Sequence, residues 1–155
     1  MKKYELTEET VTVYGKTLYR IRAVRDFGSV KTGEFGGYIE KEENLSHFGN
    51  AWVYGNAKVY GDARVSGNAW VYGNAEVFNT RHFFVQGPIG SRDGYVTFYR
   101  TKDNTVEVRC GCFSGSLQKF VDRVEETHGG SRYEKEYKLA AELAKVCIRL
   151  EGESR

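Results

Sequence analysis

Residues 50 to 79 spell nearly the same six-letter word five times: NAWVYG, NAKVYG, DARVSG, NAWVYG and NAEVFN. NLSHFG, at 44 to 49, reads as a degraded copy ahead of them. Within each word Ala-x-Val-x alternates apolar and variable positions, the period of a strand with one buried face. The Gly-Asn or Gly-Asp junction tolerates positive φ, so the chain can turn a corner every six residues. Short strands joined by regular corners at a hexapeptide period predict a β-solenoid with three words to a triangular coil. Residues 18 apart then stack. Val53, Val59, Val65, Val71 and Val77 fill the axis, while Ala51, Ala57, Ala63, Ala69 and Ala75 pack near the corners.

The same spacing sorts the variable positions onto three outer faces. Trp52 and Tyr54 fall beneath Trp70 and Tyr72, an aromatic ladder on one face. Lys58 meets Glu76 and Tyr60 meets Phe78 on the second, and Ser46, Arg64 and His82 align on the third. Two Trp–Tyr pairs open to water would form a costly apolar patch. This face is therefore expected to be covered, by another subunit or by the flanking segments. A stacking platform for a planar ligand is the alternative.

The stretch resembles the left-handed β-helix of hexapeptide-repeat proteins, with VYGNAK and its variants as the unit, over about two coils. GEFGGYIEKEENLSHFGNAWVYGNAKVYG is similar to hexapeptide-repeat proteins of phages and prophages, a group labelled polymer-forming or transferase-like. GSRDGYVTFYR followed by VRCGCFSGSL is similar to a tail module of phage and prophage proteins. The resemblance implies a fold and not an activity. It also implies a homo-oligomer, with a trimer favoured, because two coils alone bury little surface.

Residues 1–43 read as a β-rich N-terminal cap. VTVYGKTLYRIRA flanks Gly15-Lys16 as a hairpin, and the cap protects the open edge of the coils. Gly36-Gly37 is no phosphate loop, since no GK[ST] or GxGxxG follows. Residues 44–85 are the repeat, and residues 86–155 a ββαα module beyond Pro88 and Gly90. In that module GYVTFYRT and TVEVRCGCF are strands around Lys102-Asp103-Asn104. Leu117, Phe120, Val121 and Val124 form one helical face, stopped by Gly129-Gly130. Ser131-x-x-Glu134 is a capping box that opens a last helix with a broad apolar arc. Both helices are expected on one face of the sheet. The expected fold class is thus mainly β: a short left-handed β-helix, an N-terminal β cap and a C-terminal α+β tail.

Lys and Arg number 23 against 21 Asp and Glu, a net charge of +2 with no long run of one sign. That balance argues against a general nucleic-acid binder. The opening MKKYELTEET has no apolar core, no stretch reaches membrane-spanning length, and three cysteines is an odd number. These features predict a protein of the reducing cytoplasm with no membrane partner, and the phage resemblance implies the cytoplasm of a bacterial host cell.

Candidate chemistry is sparse. The hexapeptide-repeat resemblance implies acyltransfer by a histidine base between subunits, and His82, at the exit of the repeat, is the best candidate for it. His47 occupies an inward, valine-equivalent place, and His128 precedes the Gly-Gly stop. Cys110-x-Cys112 is not a zinc spacing and reads as small strand residues sharing one face. No metal, cofactor or catalytic constellation is expected. The stretch with anion-binding character is GPIGSRDG, where Ser91, Arg92 and glycine-rich backbone suit a phosphate. Arg100 and Arg109 add charge from neighbouring strands, Tyr99 and Phe113 add ring faces, and His82 completes the candidate ligand-binding set. The leading expectation is a non-enzymatic oligomer that captures a small anionic, nucleotide-like molecule between subunits; combined with the phage resemblance, this implies sequestration of a host immune signal. Two alternatives stand beside it: a structural module that docks a host or virion protein, and a hexapeptide-repeat acyltransferase.

Overall fold

The computed structural model describes residues 2–152; residues 1 and 153–155, the outer ends of the expected cap and tail, lie outside the described residues. The chain is mainly β, with two helices at its C-terminal end. Strands β1 (Tyr4–Val13) and β2 (Lys16–Ala23) form a hairpin, followed by β3 (Phe35–Ile39). The hairpin turn lies one residue earlier than the sequence predicts, at Tyr14 and Gly15, both with positive φ.

The repeat contributes four two-residue strands: β4 (Trp52–Val53), β5 (Lys58–Val59), β6 (Trp70–Val71) and β7 (Glu76–Val77). Pairing is parallel at a spacing of 18 residues, Trp52 with Trp70 and Lys58 with Glu76. Gly49, Gly55, Gly61, Gly67 and Gly73 all have φ between 62° and 70°, the left-handed value that each corner demands. The five repeat valines are fully buried, and the alanines beside them are at most 2% exposed. Each fully buried valine contributes about 1.5–3 kcal/mol relative to an exposed one. A single main-chain hydrogen bond contributes about 1 kcal/mol net. The buried valine–alanine core, rather than the two-residue ladders, therefore holds the words in register.

Upstream of residue 50 the register differs from the expected one. Tyr38 pairs with Lys58, and Leu45 bridges Val65, both 20 residues apart. Leu45 and Ile39, fully buried, take the valine places. The two-residue slip removes His47 from its expected inward position and breaks the expected line of Ser46, Arg64 and His82. His47 instead stacks on Tyr4, ring centroids 4.1 Å apart, and its Nε2 sits 2.8 Å from Glu42. The second face follows the expectation: Tyr60 stacks on Phe78 at 5.2 Å.

The β1–β2 hairpin extends one side of the repeat, giving the sheet order β1-β2-β3-β5-β7. Trp52, 2% exposed, is covered by this lead-in, with Phe27 edge-on at 5.1 Å and Tyr4 at 6.5 Å. One member of the aromatic ladder, Trp52, is thus sealed by the chain's own N-terminal segment.

The tail has more strands than the expected ββαα. Strands β8 (Phe83–Ile89), β9 (Gly94–Arg100), β10 (Val106–Cys110) and β11 (Phe113–Ser116) form one antiparallel sheet, ordered β11-β10-β9-β8. β8 runs across the expected boundary at 85/86, because Phe83 and Phe84 continue the pairing with β9. Helices α1 (Leu117–His128) and α2 (Arg132–Cys147) follow. Both cover one face of this sheet, as the sequence predicts: Phe120, Val124, Ala140, Ala141, Ala144 and Ile148 pack on Val96, Phe98 and Val108. The capping box at α2 is incomplete. Glu134 accepts from the Gly130 N–H at 3.0 Å, but the Ser131 hydroxyl donates back to the His128 carbonyl. Among the described residues no helix is long and apolar enough to cross a membrane.

At Gly36 and Gly37 strand β3 passes so close to the repeat that neither position has room for a side chain. A Cβ on Gly36 would lie 2.5 Å from the Val53 carbonyl oxygen, whereas one on Gly94 would meet nothing. Gly36→Ala is expected to destabilise the fold by about 1–3 kcal/mol, with Gly94→Ala near neutral. Urea midpoints of the two variants check this.

Candidate functional site

The two faces of the tail sheet follow its alternation. Val96 and Phe98 enter the helical core, while Tyr99 joins the core of the repeat. The sheet is thereby clamped between repeat and helices. Its attachments to the repeat are specific: the Trp70 N–H donates to the Thr97 hydroxyl at 3.0 Å, the Lys102 N–H donates to the Asn74 carbonyl at 2.9 Å, and Ala75 bridges Thr101.

At one end of this sandwich the turns between β8 and β9 and between β10 and β11 leave a cavity of about 690 Å³, a size suited to a small organic ligand. Its repeat side carries Asn50, Asn68 and Trp70, beneath the Gly28-Ser29 loop. The sheet contributes Ser91, Arg92, Tyr95, Thr97, Arg109, Cys110, Cys112 and Phe113. The helices contribute Phe120, Arg123, Thr127, His128 and Tyr137. No Asp or Glu is among the lining residues, and three of them are arginines.

Arg109 joins the two sides. Its Nε donates to the Tyr54 hydroxyl and its Nη1 to the Phe113 carbonyl at 3.3 Å. The guanidinium also lies 5.8 Å from the Tyr54 ring and 5.9 Å from that of Tyr72. Tyr54 and Tyr72, tilted against each other at 4.4 Å, thus form the backing of the site rather than its surface. Trp70 meets Tyr54 edge-on at 5.2 Å, and its indole N–H donates to the Asn50 carbonyl at 3.1 Å. Arg123 stands 5.5 Å from the Phe113 ring. Among the described residues, neither Arg92 nor Arg123 has an ion-pair partner.

Of the residues singled out in the sequence, Ser91, Arg92, Arg109 and Phe113 come together here, and Trp70 joins them from the aromatic ladder. Tyr99, Arg100 and His82 are placed elsewhere. Tyr99 is fully buried, and burial raises its phenol above the ordinary range, with Glu107 adding to the effect. Arg100, 3% exposed, donates to the Glu76 carbonyl at 2.9 Å and pairs with Glu151 at 3.4 Å. It ties the end of the tail to the repeat.

His82 is 5% exposed, and its Nδ1 accepts from the Phe78 N–H at 3.1 Å. Burial, helped by the Arg100 charge, lowers its pKa to about 4. The candidate base is therefore an internal hydrogen-bond acceptor. Cys110 and Cys112 do not share a strand face either: Cys110 ends β10, and Gly111 and Cys112 form the turn into β11. Burial holds the Cys110 thiol above its usual range, which disfavours a nucleophilic thiolate. Among the described residues no group of three His, Cys, Asp or Glu side chains is placed to hold a metal.

Arg123, Tyr137, Asn50 and Asn68 line the cavity without having been singled out. Arg123 and Tyr137 read as ordinary helix positions, and the two asparagines read as corner residues. The recurrence of Asn at the same place in two NAW words was the one available signal. His128 also reaches the cavity, stacked on Tyr137 at 5.5 Å. No protein-family model matches the chain, and no curated protein matches it.

The depressed pKa of His82 fixes a pH dependence. Between about pH 6.5 and pH 4 the unfolded chain binds a proton at this histidine that the folded chain refuses, so stability falls as pH falls through that window. The loss from this residue is expected to be about 3 kcal/mol. His82→Asn keeps an acceptor for Phe78 and should lose less stability across the window. Urea titrations at pH 6.5 and 4 on both proteins measure the difference.

Proposed function

We propose that this chain is a non-enzymatic binding protein that captures a small anionic, nucleotide-like molecule in the cavity between repeat and tail. One observation carries the reading: three arginines without a lining carboxylate converge beside exposed ring surface of Trp70 and Phe113. Guanidinium groups bind phosphate and carboxylate oxygens through paired donors, and ring faces hold planar groups. Repeat, sheet and helices of the chain all line this cavity.

In this reading the repeat is a short left-handed β-helix of about two coils, resembling that of phage and prophage hexapeptide-repeat proteins. Parallel pairing at 18 residues and the positive-φ glycine corners support it. Its stiffness gives the cavity one fixed wall. Assembly into a trimer, as the resemblance implies, would present one cavity per chain. In a phage-infected bacterial cytoplasm, capture without turnover would sequester a host immune signal.

A second reading rests on a separate observation. Leu139, Leu143 and Val146 form an exposed apolar stripe on α2, at 69%, 46% and 70% exposure, as a protein-docking helix would. Acyl transfer has the least support, because His82 is internal and its basicity is depressed.

Native mass spectrometry of the purified protein, before and after incubation with a filtered bacterial small-molecule extract, tests capture. The expected result is a discrete adduct of a few hundred daltons per chain. Arg123→Ala should reduce its occupancy, with affinity falling about tenfold or more, as expected for a lost charge-assisted bond. A protein that never gains mass, whatever the extract, would overturn the reading in favour of docking.

A further inference from the structure

We propose that the captured molecule carries an apolar alkyl or aryl group besides its anion, and that this group seats on the Phe113–Phe120–Tyr137 wall of the cavity. This rests on the capture reading and assigns the part of the ligand that the arginines do not recognise.

The helix side of the cavity is a chain of rings in contact. Phe113 lies 5.8 Å from Phe120, Phe120 meets Tyr137 edge-on at 5.8 Å, and Tyr137 stacks on His128 at 5.5 Å. Tyr137 is also held from the sheet, because its hydroxyl fills the space that a Cβ on Gly90 would need. The Gly90 N–H donates to Glu136 at 2.7 Å and ties that turn to α2. Packing on several sides therefore sets where these rings stand. Ile89, Val96 and Val124 complete the wall. Val96, Phe120 and Val124 are at most 4% exposed, yet they line the cavity. At this end the cavity thus reaches the core between sheet and helices, well below the surface turns.

The charged groups adjoin this wall. Arg123 stands 5.5 Å from the Phe113 ring, and Arg109 donates to the Phe113 carbonyl at 3.3 Å. On the wall itself the Tyr137 hydroxyl and the Cys110 thiol are turned toward each other. A sugar or a second phosphate placed there would lose water with few partners to replace it. An alkyl or aryl group gains by leaving water, and an aryl ring adds edge-to-face contacts. Arg109 is also bonded to Tyr54, whose ring touches Trp70. The order of contacts is therefore Trp70, Tyr54, Arg109, Phe113, Phe120 and Tyr137. An anion held by Arg109 and Arg123 is flanked by the Trp70 ring on the repeat side and by the apolar wall on the helix side.

Isothermal titration of the full chain with methyl phosphate and hexyl phosphate tests this, since the two share an anion and differ in alkyl length. Hexyl phosphate is expected to bind at least about tenfold tighter, as its further methylene groups leave water. Phe113→Ser should bring the two to near equality and leave methyl phosphate close to its parent affinity, and Arg123→Ala should weaken both alike. Ile89→Ser provides an independent wall variant should Phe113→Ser unfold. Equal binding of the two phosphates by the parent, or a hexyl preference that survives both wall variants, overturns the apolar subsite and leaves anion capture standing. Failure of both phosphates to bind overturns both readings.

Discussion

The packing of the tail sheet onto the aromatic face of the repeat is the contact on which the candidate site depends. The hexapeptide words bury their valines and alanines in one core, but they leave Trp52, Tyr54, Trp70 and Tyr72 on the opposite side of each strand, where water would penalise them. The chain solves this twice over. Phe27 and Tyr4 close over Trp52, while the side of the tail sheet that carries Tyr99 and Arg109 closes over Tyr54 and Tyr72. Trp70 lies where the two covers end. It stays half-buried at the rim of a cavity that exists because neither cover extends across it.

The chemistry of the cavity follows from that geometry. A sheet clamped on both faces spends its strand interiors on packing, so its polar residues reach solvent at the turns. The β8–β9 turn carries Ser91 and Arg92, and the β10–β11 turn follows Arg109. Arg109 serves as both fastener and wall. Its bonds to Tyr54 and Phe113 hold the layers together, and they leave a third nitrogen, Nη2, free of any partner among the described residues. Around it, burial raises the Tyr54 phenol and the Cys110 thiol above their usual ranges, which disfavours the anionic form of each.

The repeat was the most legible part of the sequence because its information is redundant. Five copies of Ala-x-Val give the buried face, the corner glycines and the 18-residue pairing, and Trp52 on Trp70 and Lys58 on Glu76 follow directly. Legibility failed where a copy degraded. In NLSHFG a two-residue slip put Leu45 in the valine place, and no local signal distinguishes that register from the one that buries His47. The tail was half legible. Its helices follow their apolar faces, but β8 and β11 are short or interrupted by Gly and Pro and reveal themselves only through pairing.

The site was legible in its charges and illegible in its assembly. Arg92 and Arg109 attract attention as cations near glycine-rich turns. Arg100 carries the same local signal, yet its guanidinium is used up on Glu76 and Glu151. His82 has the look of an exposed base at the end of a repeat, and long-range packing turned it into a buried acceptor. What separates these pairs of look-alikes is tertiary burial, which sequence spacing does not encode.

The account makes Trp70 a reporter of the occupied cavity and Trp52 a silent core residue. The most direct test is the emission of a Trp52→Phe protein, in which Trp70 is the one remaining indole, titrated with mixed ribonucleoside monophosphates. The account predicts a saturable change in Trp70 emission that weakens with added salt, as guanidinium–phosphate contacts require. Binding detected by calorimetry while Trp70 emission stays constant would place the ligand elsewhere and contradict it.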